Sequence, residues 1–340
     1  MVAGGGTGGH IFPALSIADH LERTGVKTIY IGSSSGLERR IVTRKGMYLL
    51  PVIGWVDKNF FGKIEFIIRF IPSLIISIYI LLKFKPSAIL LTGGFVSVPT
   101  GISGILCKIP IFTLILDWPV GLAARLFSNY SKEVFLPYEC NFSTISNLNK
   151  IITGIPVRED IFYAHKEEAL KYFNLDRDKK TLLILGGSRG ARKLVKLVEE
   201  LISRMDSKCW QFIIQKGEHK LKYSSDNIRQ FNFIERVDLA YTVADFIISR
   251  SGAMVTAEIE QTGIPSILIP YPYAYKNHQF YNAQRLSEKR SNIRVVREEE
   301  INFDKILKII EELKDKKIAI EKEDAAEKII KRMEHYVWQN

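Results

Sequence analysis

Short runs of apolar residues alternate along this chain with longer segments of helical spacing. In the first half the runs are "KTIYIG", "SAILLTGG", "IFTLIL" and "EVFLP", and in the second "TLLILGG", "QFIIQ", "DFIIS" and "PSILIP". Continuous apolar runs this short, set between helix-length stretches, predict buried strands joined by crossover helices, the βαβ rhythm of a parallel sheet. Each half opens alike, on a strand that runs into a glycine loop and then a helix: "GGGTGGH" from Gly4 and "GGSRGAR" from Gly186. The pattern predicts an α/β fold of two similar domains in tandem. Their junction falls in "TGIPVRED", Thr153 to Asp160, where Gly154 and Pro156 interrupt the pattern ahead of a charged helix. The expected division is 1–155, then 156–320, then an amphipathic helix over 321–340. Ligands of open parallel sheets sit at the carboxyl ends of the strands, so both glycine loops are expected to look into one cleft.

One stretch departs from this rhythm. "IEFIIRFIPSLIISIYILLK", Ile64 to Lys83, is long enough for a bilayer span, but Glu65, Arg69 and Pro72 interrupt its first half. A helix packed on a sheet is the expectation. Just before and at its start, Trp55, Lys58, Phe60, Phe61 and Lys63 set aromatic rings beside lysines. That mixture suits a surface dipping into a headgroup layer, so an anionic membrane surface is an expected partner.

Composition narrows the class. The chain has 340 residues, 46% of them hydrophobic and 25% charged, enough for two globular cores and too apolar for disorder. Its net charge of +11 favours an acidic partner: nucleic acid, an anionic membrane or a phosphorylated substrate. No recognised RNA or DNA motif accompanies the charge, so nucleic acid is not expected. Cys107, Cys140 and Cys209 are odd in number and widely spaced, which argues against a disulfide framework or zinc site and for a reducing cytoplasm. No cationic leader with a cleavage site is seen, and Met1 to Ala3 leave a first strand that is either short or clipped.

The glycine loops carry the candidate chemistry. "GGGTGGHIFP" fails as a P-loop because His10 and Ile11 stand where Lys and Ser or Thr are needed. It also fails as a dinucleotide site, because the second strand ends in Gly and Ser rather than an acid. What remains is a glycine loop opening a helix, with an imidazole in the helix's first turn. "GGSRGAR" is a candidate diphosphate cradle, its N–H groups supplemented by Ser188, Arg189 and Arg192, or else simply a strand-to-helix turn. The densest constellation runs from Ser249 to Leu286. Glu258 lies about one turn into a helix after the small-residue turn Ser251-Gly252-Ala253. Its carboxylate either accepts the two hydroxyls of a ribose or complements the helix dipole. Asn277, His278, Gln279 and Asn282 follow, with Gln279 and Asn282 on one helix face, where amides read sugar hydroxyls or diphosphate oxygens, or simply meet solvent.

Taken together, "GGGTGGHIFPAL", "GGF" at Gly93, "TGIPVR", "GGSRGA", "SRSGAMVTAE" and "NHQFYNA" resemble, in order, the successive motifs of the MurG family of peptidoglycan glycosyltransferases, over residues 1 to about 290. The resemblance implies a GT-B fold, two Rossmann-like doubly wound parallel-sheet domains facing a cleft. The donor sits mainly in the C-terminal domain and the acceptor on the N-terminal one. It implies transfer of N-acetylglucosamine from UDP-N-acetylglucosamine to the lipid-linked acceptor undecaprenyl-pyrophosphoryl-N-acetylmuramoyl-pentapeptide, at the cytoplasmic face of the cell membrane, by a peripheral enzyme. Carried over by motif, Arg158 and Ser188 bind the donor, Ile234 of "FNFIER" contacts uracil through its backbone, and Arg250 with Ala253, Met254, Val255, Thr256 and Ala257 lines the nucleotide pocket. Glu258 then holds the ribose, Gln279 and Asn282 the sugar, while Thr7, Gly8, Gly9 and His10 face the acceptor.

The chain also departs from the family's pattern. "LILD", Leu114 to Asp117, replaces the usual "HEQN", which puts Asp117 at the position of an Asn near the transferred sugar. Phe95 replaces a Tyr, and Arg189 a Gln. These changes leave the reaction class intact and put the acceptor and the transferred sugar in question. Inverting transfer needs a base for the acceptor hydroxyl, and His10 is the candidate, its alternative being a ligand of the acceptor diphosphate. No D-x-D pair stands where a donor diphosphate needs one, so no cofactor or catalytic metal is expected. The alternatives are a GT-B transferase acting on another polyprenyl or glycerolipid acceptor and a two-domain nucleotide-sugar epimerase.

Overall fold

The computed structural model describes residues 1–42, 46–55, 60–139, 144–146, 149–186 and 192–338. The chain divides into two compact units, Met1–Val157 with Glu323–Asn340, and Arg158–Lys322.

The first unit is built on a seven-stranded sheet: β1 (Val2–Gly4), β2 (Tyr30–Ser33), β3 (Met47–Leu50), β4 (Ile89–Gly93), β5 (Ile111–Leu114), β6 (Val134–Leu136) and β7 (Lys150–Ile152). Their order is β3-β2-β1-β4-β5-β6-β7, and each described pairing is parallel. The helices that cover it are α1 (Gly8–Arg23), α2 (Glu38–Ile41), α3 (Phe60–Phe84), α4 (Ser97–Leu106) and α5 (Leu122–Ser128). The strand order reverses between β1 and β4, so the loops after those two strands lie beside each other at the sheet's carboxyl edge, where such folds place ligands.

The second unit begins with α6 (Asp160–Tyr163) and α7 (Lys166–Phe173) and contains α8 (Arg192–Arg204), α9 (Val237–Val243), α10 (Ala253–Thr262), α11 (His278–Lys289) and α12 (Phe303–Leu313). Its sheet has six parallel strands, β8 (Lys180–Leu185), β9 (Trp210–Gln215), β10 (Ile228–Phe231), β11 (Phe246–Ser249), β12 (Ser266–Leu268) and β13 (Ile293–Val295), in the order β10-β9-β8-β11-β12-β13. A strand buried on both faces must be apolar at every position, and "TLLIL" shows why the runs are continuous. Leu182 and Ile184 pack with Leu194, Leu197 and Ile306 on one face, while Leu183 and Leu185 pack with Tyr241, Ile259 and Leu286 on the other. Alternate side chains thus feed two separate cores. The reversal here lies between β8 and β11, so Gly186 and the turn after Ser249 share the carboxyl edge.

The final helix, α13 (Ala325–Trp338), returns to the first unit and packs on α1. There Arg332 forms an ion pair with the buried carboxylate of Glu133, and Tyr336 meets the ring of Phe112 edge-on at 5.7 Å.

The long apolar stretch forms α3, which by length and composition is capable of crossing a membrane over Gly62–Phe84. One face of it is spent inside the unit. Ser73, Ser77, Ile80 and Leu81 are buried and the helix packs on α4, as a helix laid on a sheet does. The opposite face is an uncovered apolar stripe of Ile64, Ile67, Ile68, Ile71, Ile75, Tyr79 and Leu82, with Ile68 at 65% and Ile75 at 62% exposure. Of the five residues expected at a headgroup layer, Trp55 and Lys63 are described in full. Trp55 is exposed, Lys63 Nζ lies 5.6 Å above its ring, and Phe66 meets it edge-on at 5.0 Å. Lys58 and the side chains of Phe60 and Phe61 lie outside the described residues.

Candidate functional site

In the first unit the site is built around His10, in the opening turn of α1. Thr7 stands before the helix in extended conformation, exposed, with no side-chain cap, and the first turn carries no acid. Backbone N–H groups left without a side-chain cap at such an end suit an anion. His10 is half-buried, and Thr92 at the end of β4 grips it twice. The Thr92 hydroxyl donates to the His10 carbonyl at 2.9 Å, and the Thr92 carbonyl lies 2.9 Å from His10 Nδ1. A carbonyl oxygen only accepts, so Nδ1 carries the proton of the neutral ring and Nε2 is the basic nitrogen.

The glycines around the ring are there for space. A Cβ on Gly93 would lie 2.9 Å from both Cε1 and Nδ1 of His10, and one on Gly94 3.2 Å from its Cδ2. Both residues have positive φ, +95° and +74°, which a side chain would also oppose. Gly4 is bare because a Cβ there would lie 1.8 Å from the Thr92 hydroxyl. Gly93 therefore makes room for the imidazole, while Gly94 makes room chiefly for the Gly5 carbonyl, which would lie 2.3 Å from its Cβ. Thr92 escaped sequence reasoning, although its place directly before the paired glycines was the available signal. Asp117 lies just beyond the carboxyl end of β5, half-buried, so the predicted acceptor-side groups follow β1 and β5, the strands on either side of β4.

In the second unit Glu258 is the centre. It is buried, at 3% exposure, inside α10, and each carboxylate oxygen already has a protein donor. Arg158 Nη2 lies 3.3 Å from Oε1, and the Tyr241 hydroxyl donates to Oε2 at 2.9 Å. Each oxygen keeps a second lone pair for a ligand hydroxyl. Burial, and then the charge of Glu258, push the Tyr241 phenol well above its ordinary range, so it stays a donor. Tyr241 was not foreseen, since a tyrosine in an apolar helix stretch reads as core.

The motifs after β11 and β12 are stitched together by side chains. Ser251 Oγ donates to the Gln279 carbonyl at 2.8 Å, Asn282 Nδ2 donates to the Ser251 carbonyl at 3.3 Å, and Gln279 Oε1 accepts from the Tyr271 N–H at 3.0 Å. Gln279 and Asn282 thus reach the turn that opens α10. That helix begins at Gly252 with no side-chain cap and no acid in its first turn. Ala253, Met254, Thr256 and Ala257 are buried and Val255 half-buried, and the Thr256 hydroxyl bonds back to the Gly252 and Ala253 carbonyls. Arg250 is largely engaged. Its guanidinium donates to the carbonyls of Ile269 and Pro270, at 3.1 and 3.2 Å, and pairs with Glu298, tying the ends of β11 and β12 together. The Ile234 N–H donates to Gln215 Oε1 at 3.0 Å. Ser188 lies outside the described residues, as does most of its glycine loop.

Comparison with known proteins matches one family domain to each half of the chain. Residues 1–136 match the glycosyltransferase family 28 N-terminal domain and residues 181–337 the glycosyltransferase family 28 C-terminal domain. A UDP-N-acetylglucosamine--N-acetylmuramyl-(pentapeptide) pyrophosphoryl-undecaprenol N-acetylglucosamine transferase of Thermodesulfovibrio yellowstonii is 35% identical, with 97% of this chain and 96% of the relative covered. Among solved structures, Acinetobacter baumannii MurG superposes with a TM-score of 0.72 at 20% identity, covering 98% of both chains. The UDP-GlcNAc 2-epimerase of Neisseria meningitidis, at 0.65 and 16% identity over 98% of both chains, shares the two-domain fold alone. The epimerase alternative has likeness of fold but not of sequence, whereas the transferases share both, and the chain belongs to the MurG family of glycosyltransferases.

Proposed function

We propose that this chain is an inverting glycosyltransferase moving N-acetylglucosamine from UDP-N-acetylglucosamine to undecaprenyl-pyrophosphoryl-N-acetylmuramoyl-pentapeptide in peptidoglycan synthesis. Family membership supports the reaction, and the observation that carries its chemistry is the grip of Thr92 on His10, which leaves Nε2 as the basic nitrogen of the ring. In a single displacement the acceptor hydroxyl loses its proton to Nε2. Its oxygen bonds to the anomeric carbon, and the bond to the β-phosphate oxygen breaks, so UDP leaves with the electron pair. Thr7, Gly8 and Gly9 supply the acceptor side with the uncapped start of α1, and Asp117 takes the place of the family's Asn. On the donor side the Ile234 carbonyl accepts from uracil, Glu258 from the ribose, and Gln279 and Asn282 bind the sugar. Arg158, Ser188 and the start of α10, with Arg250 holding the surrounding turns, steady the diphosphate.

The acceptor's polyprenyl tail stays in the bilayer, so the first unit must come to the membrane. The exposed stripe of α3 supports attachment by that face, with Trp55, Lys58, Phe60, Phe61 and Lys63 at one end of it to meet anionic headgroups on the cytoplasmic side. The test is release of UDP from UDP-N-acetylglucosamine with a short-chain lipid-linked acceptor, run against related UDP-sugars and a glycerolipid acceptor. His10→Ala should lower turnover by roughly 10²- to 10⁴-fold with UDP affinity unchanged. Glu258→Ala should weaken UDP binding by about ten- to a hundred-fold. Turnover only with the glycerolipid, or release of UDP without any acceptor, refutes the assignment.

A further inference from the structure

Glu38, the first residue of α2, is a carboxylate with no access to solvent, and the reaction as written does not use it. Its Oε1 accepts from the Gly6 N–H at 2.9 Å and from the Ser33 N–H at 2.7 Å, joining the loop that precedes α1 to the end of β2. Its Oε2 is buried, with no hydrogen-bond partner among the described residues. The space it occupies is kept open by glycines. A Cβ on Gly5 would lie 2.0 Å from Oε1, one on Gly36 1.9 Å from Oε2, and one on Gly32 2.9 Å from Cγ. On Gly6 itself, φ is +91° and a Cβ would come within 2.3 Å of the Phe95 ring, so the loop is held between that ring and the carboxylate.

A buried oxygen without a donor costs stability, and so do glycines in place of side chains. A fold selected for stability alone would fill this space with apolar side chains. Groups retained at such cost concentrate where they hold functional geometry. We propose that Glu38 is a positioning residue for the transfer: by fixing the Gly6 N–H it sets the course of the loop into α1, and so the point at which His10 presents Nε2. This rests on the reading of His10 as the base. Reach matters here rather than charge. A glutamine keeps an oxygen at the Oε1 position, whereas an aspartate, one methylene shorter, keeps the charge and withdraws the acceptor.

The test is a series in the full chain, Glu38→Gln, Glu38→Asp and Glu38→Ala, with Glu38→Ala also placed in His10→Ala. Turnover, acceptor KM and UDP affinity are measured for each. Glu38→Gln should keep most of its turnover. Glu38→Asp and Glu38→Ala should lose about ten- to a hundred-fold in kcat, the scale of a displacement of about an ångström, with UDP affinity intact. In the His10→Ala background Glu38→Ala should cause no further loss, because the group it positions is gone. If Glu38→Ala does not fold, the order of Gln and Asp decides. An aspartate as active as the glutamine, or losses that multiply with His10→Ala, overturns the proposal. Full turnover in His10→Ala alone refutes the base assignment instead, and the proposal falls with it.

Discussion

Gly93→Ala perturbs the seat of His10 without removing any polar group. The added Cβ would stand 2.9 Å from both Cε1 and Nδ1 of the imidazole, and carbon contacts relax to about 3.5–4.0 Å. Since Gly93 closes β4 in the middle of a sheet, the ring is the party that moves, by roughly 0.7 Å. That displacement stretches the 2.9 Å bond from Nδ1 to the Thr92 carbonyl past useful length. The backbone adds its own cost, because φ at this residue is +95°, where a side chain is opposed by about 1–2 kcal/mol. Overpacking contributes about 1–3 kcal/mol more. The sum, about 2–5 kcal/mol, predicts a fall in Tm of about 4–20 °C for a unit of this size. Turnover should fall by roughly ten- to a hundred-fold. Thermal unfolding and acceptor saturation kinetics read the two effects, with UDP titration as the control for the second unit. A Gly93→Ala enzyme with wild-type turnover and Tm would refute the idea that Gly93 is bare to seat the imidazole.

Tyr241→Phe removes the buried donor to Glu258 and should cost about 1.5–3 kcal/mol in urea unfolding, the range for a bond to a charged group. The folded protein holds the Tyr241 proton to higher pH than the unfolded chain does, so its contribution is intact below about pH 10 and is lost as pH rises beyond. The phenylalanine variant should therefore show a shallower alkaline loss of stability, and an identical slope would contradict the burial argument. On α3, Ile68→Glu with Ile75→Glu should leave folding intact and weaken binding to anionic vesicles at least about a hundred-fold, from about 1.5–3 kcal/mol per isoleucine. Persistent binding there, lost instead with Trp55→Ser and Lys63→Glu, would move the membrane contact to the start of the helix. Arg332→Ala strands the buried Glu133 carboxylate and should destabilise the first unit by about 1–3 kcal/mol, less than a wholly buried pair because the guanidinium is half in water. UDP affinity should not change, and an equal loss of donor binding would show that α13 supports more than the first unit.

Much of the fold was legible because the signals are local. An apolar run with no polar alternation already says that a strand is covered on both faces, and a glycine loop between a run and a helix marks the carboxyl edge where ligands sit. The order of motifs from Gly4 to Asn282 was enough to recognise the family. The amphipathic pattern of the last helix was equally clear, yet it reports only that one face is covered, not which unit covers it. Contact with α1 and the pairing of Arg332 with Glu133, 199 residues apart, settle that. For α3 the sequence showed a long, mostly apolar helix expected to pack on a sheet, and only packing against α4 distinguished the buried face from the open one.

The same limit governs the sites. A glycine in a sequence states that a Cβ is missing and leaves unsaid what occupies the space. At Gly93 it is the His10 ring and at Gly36 the Glu38 carboxylate, and neither is a sequence signal. His10 was identified from its place after a glycine loop, but its tautomer depends on a carbonyl 82 residues away. Glu258 was identified from its place on a helix, while its buried state depends on Tyr241 and on Arg158, 100 residues before it. Periodicity and spacing determine which elements form and which residue types are displayed at their ends, because those properties belong to one stretch of backbone. Hydrogen-bond partners, tautomer and burial belong to pairs of residues far apart in the chain, and only the folded chain brings those pairs together.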